Sequence, residues 1–180
     1  PVVDTCGTGG DGSGTFNIST ASALVVAGTD QKVAKHGNRA MSGSSGSADV
    51  LEALNVKITL SPEGVERCLD EVGIGFMFAQ TFHPSMKFAA GPRREIGIRT
   101  VFNILGPLTN PAGATSQVIG VANRDVGELM ARVLGILGTK HALIVHGEGA
   151  VDEISLSGPT EVWELKGGEV QAFEVSPKSF

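Results

Sequence analysis

The sequence predicts an α/β fold, a largely parallel central sheet flanked by helices, with a C-terminal β-hairpin. Three observations carry that prediction. Short apolar runs of strand length alternate with stretches of helical periodicity, the pattern of βαβ units. Loops of small residues follow several of the apolar runs, where open α/β sheets gather their ligands. Residues 160–173 alternate in polarity around Gly167-Gly168, which reads as a hairpin.

Taken in order, Pro1-Val2-Val3 reads as a strand running into Gly7-Thr8-Gly9-Gly10-Asp11-Gly12-Ser13-Gly14-Thr15. A helix is expected over 17–28, with Asn17 as its N-cap and Ala21, Leu24, Val25 and Gly28 on its apolar face. A strand over 31–34 gives way to Lys35-His36-Gly37-Asn38-Arg39 at its C-terminal end. The small-residue loop 41–47 leads into a helix from Ala48. Ser61-Pro62 is an N-cap followed by Pro at N1, starting a helix to about Val72. Residues 74–79 form an apolar strand. His83-Pro84 then opens a basic helix that Gly91-Pro92 is expected to break, so that Arg93 begins a new turn. Residues 100–115 are dense in turn formers and read as a long functional loop or crossover. A strand over 117–122 and a helix over 125–137 follow. Asp125 and Glu128 are spaced like a capping box, and Leu129, Val133, Ile136 and Leu137 give an apolar face. The strand 142–145 ends in His146-Gly147-Glu148-Gly149, with Asp152-Glu153 in the loop beyond.

Composition narrows the function classes. The 180 residues are one domain's worth and 41% hydrophobic, enough for a sizeable core. The net charge of −5 and an isoelectric point near 5.3 give general nucleic-acid binding no electrostatic support. The sequence shows neither an apolar run of about 18 residues nor a signal peptide, so no membrane role is expected. Two cysteines, Cys6 and Cys68, are too few for a disulfide framework or a zinc site, which fits a reducing cytoplasm. The chain opens at Pro1, close to its first glycine loop, and reads as a fragment of a longer protein.

Five glycines in eight positions make either a glycine-rich surface loop or a phosphate cradle, in which backbone N–H groups and a helix N-terminus converge on an anion. Gly7-x-Gly9-x-x-Gly12 also fits a dinucleotide fingerprint. Asp11 would repel a bare pyrophosphate, however, the helix starts only at Asn17, and no acid ends the next strand, so NAD is set aside. Asp152-Glu153 is either a solvated acidic turn or, on an irregular backbone, a pair of Mg²⁺ ligands sharing the ion with phosphate oxygens. Lys35 is a surface lysine or a phosphate counter-charge, and His36 is a structurally bonded histidine or a base. Arg93 is an ion-pairing group or a bidentate carboxylate ligand.

The motifs Gly7-Thr8-Gly9-Gly10-Asp11-Gly12, Asn17-Ile18-Ser19-Thr20, Lys35-His36-Gly37-Asn38-Arg39, Gly46-Ser47-Ala48-Asp49, His83-Pro84-Ser85-Met86-Lys87, the run from Arg99-Thr100 to Asn110-Pro111, and Asp152-Glu153 occur in this order. As a set they resemble the anthranilate phosphoribosyltransferase family, from about Asp4 to Glu153 and more loosely to the end. The resemblance implies a phosphoribosyl-pyrophosphate-binding α/β domain over residues 1–180. It lacks the family's small N-terminal helical domain, which closes the site and makes the homodimer of the full-length enzyme. It implies transfer of a phosphoribosyl group from phosphoribosyl pyrophosphate (PRPP) to anthranilate in cytoplasmic tryptophan biosynthesis, with Mg²⁺. Carried over by position, Gly7, Gly10, Asp11 and Thr15 would line the pyrophosphate, and Asn17, Ser19 and Thr20 would hold phosphate. Lys35 and Ser47 would contact the donor, while Gly7, Asn38 and Arg93 would face anthranilate. Ser19, Asp152 and Glu153 would be the metal ligands. A pyrimidine nucleoside phosphorylase is the alternative within enzymes, and the Asn38-Arg39 and Asp152-Glu153 pairs fit it less well. A non-catalytic nucleic-acid-binding relative would be basic and would have lost the acidic pair.

Overall fold

The computed structural model describes residues 1–40, 45–96 and 100–179, with the side chains of residues 90, 93 and 94 left aside. One seven-stranded sheet carries the strand order β3-β2-β1-β4-β5-β6-β7. These strands are β1 (Val3–Gly7), β2 (Val33–Gly37), β3 (Ile74–Phe78), β4 (Ser116–Gly120), β5 (His141–Gly147), β6 (Thr160–Lys166) and β7 (Glu169–Val175). The first five are parallel, and β6 and β7 are antiparallel additions. The order reverses direction between β1 and β4, so the C-terminal ends of those two strands form the crevice where such sheets bind ligands. The β6–β7 turn is Gly167-Gly168, both at positive φ (61° and 85°), as a two-residue hairpin turn of the primed type requires.

Seven helices flank the sheet among the described residues: α1 (Ile18–Ala27), α2 (Ser47–Ala53), α3 (Pro62–Glu71), α4 (Ala79–Phe82), α5 (Lys87–Ile96), α6 (Phe102–Leu108) and α7 (Gly127–Ile136). Met130, Ala131 and Leu134 of α7 pack on Ile119, Ile144, Trp163 and Leu165 of the sheet. Ala48 and Leu51 of α2 pack with Phe76 and Phe78 of β3, and Val65 of α3 with Ala34 and Met77. Among the described residues, no helix is long and apolar enough to cross a membrane.

Several expectations need correction. β1 starts at Val3 and runs through Gly7, so Asp4 lies inside a strand. β2 runs on through Lys35 and His36, which are buried strand residues and not a turn. α5 continues through Gly91-Pro92 to Ile96: a proline six positions in forfeits one i→i−4 bond, and the helix absorbs that loss. The turn-dense segment 100–115 contains a real helix, α6, with Pro107 inside it. The apolar faces read for two helices are also wrong. α1 buries Thr20 and Ala23, leaving Leu24 and Val25 exposed; α7 buries Met130, Ala131 and Leu134, leaving Leu129, Ile136 and Leu137 exposed. In α1 the buried side chains are small, while α7 packs through Met130 and Leu134 on a face offset from the one expected. The capping box at Asp125 and Glu128 is replaced. Asn123 caps a short 3₁₀ turn by accepting from Asp125 N, and Glu128 pairs with Arg132.

Candidate active site

Gly7, the last residue of β1, is the register partner of Gly120, the last residue of β4. The loop after β5 arches over both. A Cβ on Gly7 would run into the Asp152 carboxylate, and one on Gly120 into the Asp152 backbone carbonyl. Glycine at these two positions is what lets Asp152 descend onto the strand ends. There Asp152 Oδ2 accepts a 2.7 Å hydrogen bond from Gly9 N. The acidic residue and the glycine loop, 143 residues apart in sequence, thus meet directly. Val151 bridges back to Gly147, and the backbone at residues 152–153 is irregular, so the two acids need not alternate faces. Asp11 closes the group. Burial pushes the Asp152 carboxyl up, and the charge of Asp11 adds to that rise. Partial burial pushes Asp11 up as well, but the hydroxyl and amide of Ser13 outweigh it and hold Asp11 below its ordinary value.

A second layer lies at the start of α1. Asn17 caps the helix, its Oδ1 accepting from Thr20 N (3.1 Å) and Thr20 Oγ1 (2.5 Å). Thr5 Oγ1 donates to Ser19 O at 2.8 Å. Lys35 is 2% exposed, and its ammonium donates to Thr5 O (2.5 Å) and Ser19 Oγ (3.2 Å). Burial lowers its pKa, opposed by the charges of Asp4, Cys6 and Glu153. Glu153 accepts from Ser19 N, and burial followed by the Asp152 charge pushes its pKa up to about 7. Asp152 therefore faces the glycine loop while Glu153 faces the α1 N-terminus, with Lys35 beneath.

The exit of β2 forms a third part. Asn38 O accepts from Ala48 N (3.2 Å) and Asn38 Oδ1 from Arg39 N (2.8 Å). Ser47 is the first residue of α2 and lies against Gly37, where an added Cβ would sit 3.1 Å from its own. Asp49 accepts from Gly46 N and Ala40 N, tying that loop to the helix. His36 is held between the Gly106 backbone and His83, with 3.2 Å between the two Nε2 atoms. Gly10 and Thr15 are exposed in the glycine loop, and the Thr15 hydroxyl lies 3.2 Å from that of Ser13. Residues 41–44, Arg99 and the Arg93 side chain lie outside what is described; the Arg93 backbone is in α5. A cleft of about 260 Å³ opens beside Gly9, lined also by Thr8, Thr100, Asn103 and Asn123.

The donor set can be tested for a divalent ion on these residues. Asp11 Oδ2 is buried without a hydrogen-bond donor. With Asp152 and Glu153 it gives the site more negative charge than Lys35 offsets. Among the described residues no three metal-ligating side chains form a ready-made cage. Mg²⁺ does not need one: one or two carboxylates with substrate phosphate oxygens and water suffice. The residues fit.

Sequence reasoning missed Asp4, Asn110, Gly120 and His83. Asp4 carried a signal, a carboxylate inside an apolar strand run; Gly120 sits inside the expected strand 117–122, and Asn110 reads as an ordinary turn residue.

Residues 1–180 match the model of the glycosyl transferase family, a/b domain. The chain belongs to this family. Within the glycosyl transferase family it is 60% identical over 179 residues to the anthranilate phosphoribosyltransferase of Laribacter hongkongensis (strain HLHK9), covering 99% of this chain and 52% of the relative. It is 64% identical over 169 residues to that of Chloroflexus aurantiacus (strain ATCC 29366 / DSM 635 / J-10-fl), covering 94% and 50%. The crystal structure of anthranilate phosphoribosyltransferase from Thermus thermophilus superposes with a TM-score of 0.91 at 50% identity, over 99% of this chain and 53% of that one. The Saccharomyces cerevisiae enzyme in complex with PRPP and Mg gives 0.88 at 32% identity, over 98% and 49%. The chain spans about half the length of these relatives.

Proposed function

We propose that this chain supplies the PRPP- and Mg²⁺-holding α/β part of an anthranilate phosphoribosyltransferase, which transfers the phosphoribosyl group to anthranilate and releases pyrophosphate. The observation that carries the proposal is the hydrogen bond between Gly9 N and Asp152, which puts a glycine cradle and an acidic doublet on one crevice. The names of the relatives and the PRPP and Mg of the yeast complex support the same reading.

In this reading the backbone of Gly7, Gly10 and Asp11, with Thr15, takes the pyrophosphate. Asn17, Ser19 and Thr20 take phosphate at the α1 N-terminus, where the helix dipole favours an anion. Ser47 contacts the donor, and Lys35 acts on it through Ser19, to which its ammonium is bonded. Gly7, Asn38 and Arg93 receive anthranilate, with Arg93 on its carboxylate. Ser19, Asp152 and Glu153 would hold Mg²⁺, which when bound offsets the charge that grows on the departing diphosphate. The chain's own groups orient the two reactants: the C1–O bond to pyrophosphate breaks as the amine nitrogen forms its bond to C1, and the resulting ammonium then gives its proton to solvent. Positioning and preorganised N–H donors carry the rate, without a covalent intermediate. The homodimer and the cytoplasmic setting belong to the same proposal.

The test is kinetics and calorimetry on the full-length protein that contains this chain. Asp152→Asn with Glu153→Gln is expected to cut metal-dependent use of PRPP by about a hundredfold or more. Arg93→Ala is expected to raise the KM for anthranilate about tenfold or more, with PRPP affinity kept. Wild-type constants for both substrates in both variants refute the assignment.

A further inference from the structure

The ladder between β1 and β2 stops after one rung. Val3 pairs with Val33, whereas β1–β4 and β2–β3 each show five paired positions. Val3 N donates to Lys32 O at 3.0 Å. In unbroken parallel register the next rung joins Thr5 to Lys35, with Thr5 N on Ala34 O and His36 N on Thr5 O. Three of those four backbone groups have side-chain partners instead. His36 N donates to Asp4 Oδ1 at 3.2 Å, and the Thr5 amide also favours the charged form of that carboxylate. Thr5 O accepts from Lys35 Nζ at 2.5 Å, and Ala34 O from Asn110 Nδ2 at 2.9 Å. Asn110 Nδ2 also donates to Asp4 Oδ2 at 2.7 Å, while its Oδ1 accepts from Ala112 N. Asp4 is 1% exposed and Lys35 2%, so these are buried polar groups that need hydrogen-bond partners, and they find several of them on the two strands.

We infer that Asp4, Lys35 and Asn110 form a side-chain rung that holds β1 and β2 apart, and that Asn110 is a positioning residue for the donor site. The strands so separated run straight into two segments of the proposed site: β1 into Gly7 and the glycine loop that takes the donor, and β2 into Gly37 and then Asn38. The separation sets the spacing of those segments, and Lys35 links it to Ser19 at the head of α1. Asn110 is the member that nothing in the neighbouring strands demands. It comes from beyond α6, 106 residues from Asp4, and locks the rung from outside.

This inference rests on the donor-binding reading above. It is tested on the full-length protein with Asn110→Asp, an isosteric change that turns the donor between Asp4 Oδ2 and Ala34 O into an acceptor, and with Asn110→Ala, which removes the bonds without adding charge. The double variant Asp4→Asn with Asn110→Asp returns one donor–acceptor pair. Amide hydrogen exchange by NMR is expected to quicken about tenfold or more at Thr5 and His36 in both single variants, with the β4 amides unchanged. The Kd of PRPP with Mg²⁺ is expected to rise about tenfold or more, and the double variant recovers part of the loss. Exchange that is uniform across the sheet, or unaltered, overturns the rung. Local exchange with an unchanged PRPP Kd overturns the positioning role. A wild-type protein that binds no PRPP refutes the donor reading and the positioning role with it, and exchange still decides the rung.

Discussion

His36 shows how burial decides what a residue can do. Burial, the His83 ring and the Lys35 charge depress its pKa to about 4, against a hydrogen bond to the Gly106 backbone that favours the charged form. The native state therefore holds His36 neutral where the unfolded chain, titrating near 6.5, binds a proton. Stability from this residue is full above pH 6.5 and is lost as pH falls towards 4, by up to about 3 kcal/mol. An NMR titration of the His36 ring in the folded protein is expected to show a midpoint near 4, and His36→Gln to flatten the acid limb of the stability curve. A midpoint near 6.5 contradicts the buried pairing. The sequence offered His36 equally as a base or as a structural histidine. What separates those roles is His83, 47 positions away, which no spacing pattern points to.

At the scale of elements, strand ends matter more than strand interiors. Gly120 closes β4 under the Asp152 carbonyl. Gly120→Ala is expected to lift the 148–159 loop off Gly9, costing about 1–3 kcal/mol in overpacking. Mg²⁺-dependent PRPP binding should weaken about tenfold or more in calorimetry, because the carboxylates move together. A normal metal dependence in that variant would mean the loop's approach is not what sets the site. Gly91-Pro92 and the turn formers after Thr100 misled the local reading because propensity is a per-residue tendency of a fraction of a kcal/mol to a few. One forfeited bond does not end a helix that its neighbours support. Asn17 was legible as a cap, since capping needs only residues within one turn.

Over the whole molecule, the 180-residue chain leaves two helices with large apolar side chains in solvent. Ile136 is 85% exposed and Val25 71%, with Leu129, Leu137 and Leu24 beside them in sequence. Exposed apolar surface on this scale favours association. The isolated chain is expected to show a sedimentation coefficient that rises with concentration, and Leu129→Lys with Ile136→Lys to reduce that rise. Concentration-independent sedimentation of the unmodified chain would show that these side chains do not drive association. The sheet order is also a property of this scale. Its reversal between β1 and β4 puts the glycine loop at the crevice, and the long return from β5 drops Asp152 onto it.

The sequence by itself determined the α/β class, the alternation of elements, the hairpin and the glycine-rich loop at a strand end. These follow from periodicity, turn chemistry and capping, which act over a few residues. Only the tertiary structure decided which helix faces are buried, that Lys35 and His36 are interior, and that Asp4 and Asn110 replace a rung of the sheet. Those depend on contacts between residues tens to more than a hundred positions apart, where the local chain carries no record of its partner.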